Sequence, residues 1–169
     1  MRTKATVAIT VVMALMLGWQ HLNGGVPSHH LLADPSLPKL SNWWGLLTLP
    51  VLAWCLLGRI ERRRRADPRA PHGDTAAFAG ALVFGALLSL LFTAGRHDAT
   101  GYMAQSVFVL ALFYPIHRAA CVLGFVIGMT WTFGAVLPMI AACIFAAGGA
   151  VIHHGVRFVY SRAVMLRRR

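Results

Sequence analysis

The chain has 169 residues, 57% of them hydrophobic and only 12% charged, and its mean hydropathy is +0.63. Soluble domains carry about 25% charged residues, which excludes a water-coated globule and leaves an integral membrane protein. Sixteen Lys and Arg against five Asp and Glu give a net charge of +11. These charges flank apolar runs without aromatic interleaving, so they point to membrane orientation and anionic lipid headgroups, not to nucleic acid.

Arg2 and Lys4 precede an apolar run, Ala5–Gly18, followed by Trp19, Gln20 and His21. No small-residue cleavage site follows, so the expectation is an uncleaved first span over about 5–20. The segment 21–42 is the main polar loop. Gly24, Gly25, Pro27, Pro35 and Pro38 punctuate it, and one short helix from Ser28 to Asp34 fits between the turns. Ser41 is expected to cap the second span, about 43–60, with Trp43 and Trp44 at headgroup depth. Pro50 lies inside that span, where neighbouring helices can accommodate it.

A basic loop, 59–74, carries Arg59, Arg62, Arg63, Arg64 and Arg65, the clearest cytoplasmic marker in the chain. The third span, about 75–95, is rich in Ala and Gly, residues that let helices approach closely. The remaining apolar sequence divides at Pro115–Arg118 and at Pro138 into spans of about 102–116, 119–137 and 138–154. Five spans would place the Arg167, Arg168 and Arg169 tail outside and bury Arg118. Six keep fourteen of the sixteen basic residues on one side, leaving only Lys39 and Arg96 opposite, as the positive-inside bias demands. The expected fold is therefore all-α: a single polytopic domain, a six-transmembrane-helix bundle with both termini cytoplasmic, in a bacterial-type inner membrane. Leu49–Cys55 and Leu137–Cys143 share a Leu-Pro-x-x-Ala-x-Cys pattern, a short match that apolar sequence produces easily. Cys55, Cys121 and Cys143 all lie in apolar runs without a CxxC pair and read as small packing residues.

Two clusters could carry chemistry. His21, His29, His30, Asp34, His97 and Asp98 fall on the outer side and form a candidate ligand set for a divalent metal. Imidazole and carboxylate suit several such ions and select none. On a helix, His30 and Asp34 would share a face. As interfacial polar groups they would simply hydrate the outer surface. His29, His30, Asp34, Ser41, Asn42, Trp43 and Trp44 are the candidate ligand-binding set: Ser and Asn as donors, the indoles as walls. Otherwise Ser41 is a cap and the tryptophans are lipid anchors. His72, His117, His153 and His154 fall on the inner side; His153 and His154 are a weaker metal-ligand candidate and otherwise helix-end groups. Arg59, Arg62 to Arg65 and Arg167 to Arg169 are assigned to headgroup contact and topology.

No Asp, Glu, Lys or Arg remains inside the spans, which disfavours a proton- or sodium-driven pump. No phosphate-binding loop, GxSxG or HExxH occurs. The expected function is ligand binding or passive translocation of a small molecule, through an outward-facing cavity under loop 21–42. The alternatives are a membrane-embedded enzyme using the outer His/Asp metal site, and a non-catalytic accessory or assembly subunit. The partners expected are membrane lipids, another copy of the chain or a second membrane subunit.

Overall fold

Apolar runs that cannot hydrogen-bond to lipid must satisfy their backbone internally, and nearly all of this chain does so as helix. The computed structural model describes residues 2–26, 28–30, 39–67 and 70–167. Its helices are α1 (Arg2–Leu22), α2 (Gly45–Ala66), α3 (Ala70–Thr93), α4 (His97–Phe113), α5 (Ala119–Phe133) and α6 (Val136–Arg167). A 3-10 turn, Asn42–Trp44, leads into α2. Four helices, α1, α2 with its 3-10 turn, α3 and α6, are long and apolar enough to cross a bilayer. Their outer faces are apolar too: Leu15, Leu90 and Val151 are 69%, 63% and 74% exposed. Such a surface suits hydrocarbon and not water, and the protein is membrane-embedded.

Consecutive helices alternate in direction. At one end the Arg2 amide donates to Glu61 at 3.0 Å, Arg63 and Arg64 face Asp74, and His117 meets His153 and His154. At the other end His21 lies against Trp43, and Phe92 against both His97 and Phe133. The first end collects most of the described Arg residues and is called the basic end below.

α5 is the hub. It has only 15 residues, about 22 Å at 1.5 Å per residue, but eight of them are buried. A helix wrapped by its neighbours has no hydrocarbon thickness to match, so its shortness is tolerated. Leu123, Phe125, Val126 and Met129 tie it to the two hydrophobic clusters of the core. α5 runs parallel to α3 at backbone contact: a Cβ on Gly124 would meet the Phe78 carbonyl, one on Gly128 the Leu82 carbonyl, and one on Gly85 the Phe125 carbonyl. Of the Ala and Gly residues expected to line a close contact of the third span, Gly85 meets α5, whereas a Cβ on Gly80 would meet nothing within 4 Å.

Several expected boundaries change. Residues 28–30, expected to open a short helix, form strand β1, paired antiparallel with β2 (Lys39–Ser41), Ser28 opposite Ser41. Gly24 and Gly25, with φ of 115° and 99°, redirect the chain there, and pairing satisfies backbone groups that a single helical turn leaves open. The rest of that expected helix, 31–34, lies outside the described residues. α3 starts at Ala70 and not 75, while α4 starts at His97 and not 102, with Asp98 favouring its N-terminal turn. The α5–α6 break falls at Gly134 (φ 70°), not at Pro138, which sits in the first turn of α6 where its missing N–H costs nothing. α6 continues to Arg167, well past the expected 154.

Candidate functional site

The 3-10 turn that starts α2 is built by Ser41, whose hydroxyl oxygen accepts from the Trp43 amide at 3.4 Å. That turn buries Asn42 and leaves Trp43 and Trp44 half exposed. A shallow recess of about 390 Å³ runs along Ser41, Trp43, Trp44, Leu46 and Leu47. His21 touches this group edge-on through Trp43, with ring centroids 6.1 Å apart. His97 packs on Phe92 instead, at 5.3 Å. Asp34 lies outside the described residues, and for His29 and His30 only the backbone strand is described. Among the described residues, no group of three or more His, Cys, Asp or Glu is arranged to hold a metal ion.

Of the arginines assigned to headgroups, Arg63 and Arg64 bracket Asp74 at 3.5 and 3.8 Å. Arg59, Arg62 and Arg65 are exposed. For Arg167 only the helical backbone is described; Arg168 and Arg169 lie outside the described residues.

A second cavity, about 380 Å³, opens between α3, α4, α5 and α6. Small residues on α3, among them Ala77, Gly80 and Ala81, make one wall, and Phe84, Phe125 and Phe145 close its depth. A Cβ on Gly80 would meet nothing within 4 Å, so the space beside α3 is open. Its lining is almost wholly apolar, and its volume lies in the range of small-molecule sites. None of the described residues of segment 21–42 lines it.

Toward the basic end, this cleft is bounded by Tyr114 and Ile116 in the loop between α4 and α5. The same loop continues into His117 and Arg118, the latter with its guanidinium 5.4 Å from the Tyr114 ring centroid. α6 returns antiparallel to α4 and brings His153 and His154 to that level. The rings of His117, His153 and His154 lie 5.4 to 6.2 Å apart, centroid to centroid. His153 Nδ1 lies 3.2 Å from the Ala111 carbonyl; a carbonyl only accepts, so this contact puts the proton on Nδ1. Nδ1 of His117 is buried without a hydrogen-bond partner. Burial pulls the His117 pKa below its ordinary value, and repulsion from His154, His153 and Arg118 adds to the effect.

The sequence assigns these three histidines to one side of the membrane but does not connect His117 with the His153–His154 pair. The available signal is topological: an antiparallel sixth helix must bring 153–154 back to the height of the loop at 117. Compared with known proteins, the chain matches no family model, no curated protein and no solved structure.

Proposed function

We propose that the protein binds a lipid-like small molecule within the membrane, its apolar part seated in the cleft between α3, α4, α5 and α6. The carrying observation is the cleft itself: a volume of about 380 Å³ with an apolar lining, walled on one side by Ala and Gly. Side chains as small as these leave room for a ligand where larger ones would pack against the facing helix. Binding, and not proton-coupled pumping, is favoured because the cleft is lined by no Asp, Glu, Lys or Arg.

This reading includes six spans with the basic end facing the cytoplasm of a bacterial-type inner membrane. The alternation of all six helices between two ends supports the six spans. The gathering of Arg2, Lys4, the 59–65 run, Arg118 and Arg157 at one end supports the orientation. The end that carries Trp43 and the paired strands β1 and β2 then faces outward.

A Cβ at Gly80 would meet nothing within 4 Å, so Gly80→Phe, which adds bulk to the cleft wall, tests the reading. Lipid-like molecules carried through purification, quantified by mass spectrometry of the extracted protein, fall roughly tenfold in the variant if about 1.4 kcal/mol of binding is lost. An unchanged complement in a folded Gly80→Phe protein overturns it. Labelling of His72→Cys by a membrane-impermeant reagent from the cytoplasmic side alone checks the orientation.

A further inference from the structure

Toward the basic end, the apolar cleft ends beside a set of hydrogen-bond donors. Arg118 makes no ion pair among the described residues, although it is only half exposed. Beside it are three imidazoles within 6.2 Å of one another, one with a buried, unpartnered ring nitrogen. α5 begins at Ala119, so the first-turn amides of Ala119, Ala120 and Cys121 open toward the same loop, carrying the positive end of the helix dipole. The Arg118 amide and the amide of Val122 are already taken, by the Pro115 and Arg118 carbonyls.

Among the described residues no carboxylate forms an ion pair with this group. Asp74, at the same end of α3, is held by Arg63 and Arg64, and Glu61 accepts from Arg2. Arg157, one turn past His153 on α6, adds further positive charge. Three like-charged rings and a guanidinium would repel one another if all were protonated. An anion set among them would relieve that repulsion.

The geometry points to a headgroup site at the inner mouth of the cleft, in which Arg118, His117, His153, His154 and the α5 N-terminus bind the phosphate of an anionic lipid. This inference rests on the reading that the cleft takes a lipid-like ligand. It adds which lipid: one with an anionic phosphate head, its chain running past Tyr114 and Ile116 toward Phe125 and Phe145. Phosphate matches the donors because its several oxygens accept from a planar guanidinium fork, imidazole N–H groups and helix amides together. Tyr114 joins the two halves, lining the cleft with the ring that carries the Arg118 guanidinium above it.

A pH dependence follows. The groups facing His117 are His153 and His154 from α6 and Arg118 from its own loop. Each disfavours its protonation until an anion compensates. Binding the phosphate then takes up protons, so affinity rises as pH falls through the histidine range.

The test uses the full chain in phosphatidylcholine nanodiscs doped with phosphatidic acid, with retained lipid read by native mass spectrometry. The wild type is expected to retain phosphatidic acid over phosphatidylcholine, more so near pH 6 than near pH 8. Arg118→Gln is expected to retain lipid without discriminating between the two. The double variant His117→Gln/His154→Gln is expected to lose the pH dependence.

Gly80→Phe separates the two readings. It should cut retention of both lipids roughly tenfold if the cleft reading holds, whereas failure of the headgroup reading alone leaves retention that Gly80→Phe reduces but Arg118→Gln does not alter. Equal retention of both lipids by the wild type overturns the headgroup site. Displacement of the bound lipid phosphate by millimolar inorganic phosphate overturns the lipid assignment in favour of a soluble phosphate. If either glutamine variant fails to fold, Arg118→Lys serves instead, keeping the charge while removing the fork, and unaltered discrimination there counts against the site.

Discussion

The side chain of Asn42 fills the space beside Gly134 that a Cβ would occupy: its amide oxygen and carbon are the nearest atoms to that position. Asn42 is only 4% exposed, and Gly134 is the turn between α5 and α6, at φ 70° and ψ −170°. That backbone region is essentially restricted to glycine, and a side chain there costs about 1–3 kcal/mol before any collision. Gly134→Ala should therefore lower thermal stability in detergent by about that amount or more. Pairing it with Asn42→Gly should recover only the part due to the collision. Full recovery in the pair would mean that backbone conformation contributes nothing, and would refute this account of the turn.

The contact between α3 and α5 gives a second prediction. Gly124 and Gly128 touch the carbonyls of Phe78 and Leu82, so a side chain at either must separate the two helices. Backbone cannot yield as a flexible side chain can, and overpacking costs about 1–3 kcal/mol. Gly128→Val should destabilise by that amount in SDS-titrated unfolding. Gly155, on α6 with nothing within 4 Å of its Cβ position, should accept Ala with a gain of up to about 1 kcal/mol from helix propensity. A gain at both positions would argue that helix propensity, and not packing, governs glycine in this bundle.

These two cases show what the sequence discloses and where it stops. Periodicity and length locate all six helices, and the Ala/Gly content of 75–95 announces a close helix contact without naming its partner. Gly134 is as visible in the sequence as Pro138. Proline marks the first turn of a helix as readily as its end, though, and the end here belongs to the glycine. The Ser28–Asp34 segment has the residues of a capped helical turn. The pairing of Ser28–His30 with Lys39–Ser41 depends on a contact between separate segments that local propensity does not encode. The histidine cluster is harder still: His117 and His153 are 36 positions apart, joined only once α6 is known to return antiparallel beside α4.

Asp74 offers a third prediction. It is 2% exposed, and the two guanidinium groups facing it come from the last turns of α2, Arg63 at 3.5 Å and Arg64 at 3.8 Å. The Arg side chains are themselves 35% and 39% exposed, so solvent screening reduces the worth of each pair well below that of a fully buried one. Asp74→Asn should cost about 1–2 kcal/mol of stability. It should also loosen the α2–α3 connection, seen as faster trypsin cleavage within the 62–65 run. Cleavage as slow as in the wild type would show that the carboxylate does not restrain that segment.

The fourth prediction concerns pH in the absence of an anionic ligand. Burial pulls the His117 imidazole below its ordinary value of about 6.5, and the neighbouring His154, His153 and Arg118 push it further in the same direction. A loop freed from α6 would regain the ordinary value and so bind a proton first. The docked state therefore loses stability as pH falls from about 6.5 toward the lower native pKa, and is unaffected above that window. Hydrogen exchange at residues 114–120, corrected for intrinsic rates, should show protection falling between about pH 7.5 and pH 5.5 in nanodiscs of zwitterionic lipid. His117→Gln removes the titrating group and should flatten the response. Phosphatidic acid should reverse its sign, because a bound phosphate rewards the protonation that the empty site resists. Protection that is independent of pH in the wild-type protein, with and without phosphatidic acid, would mean that His117 is not coupled to the docking of its loop at all.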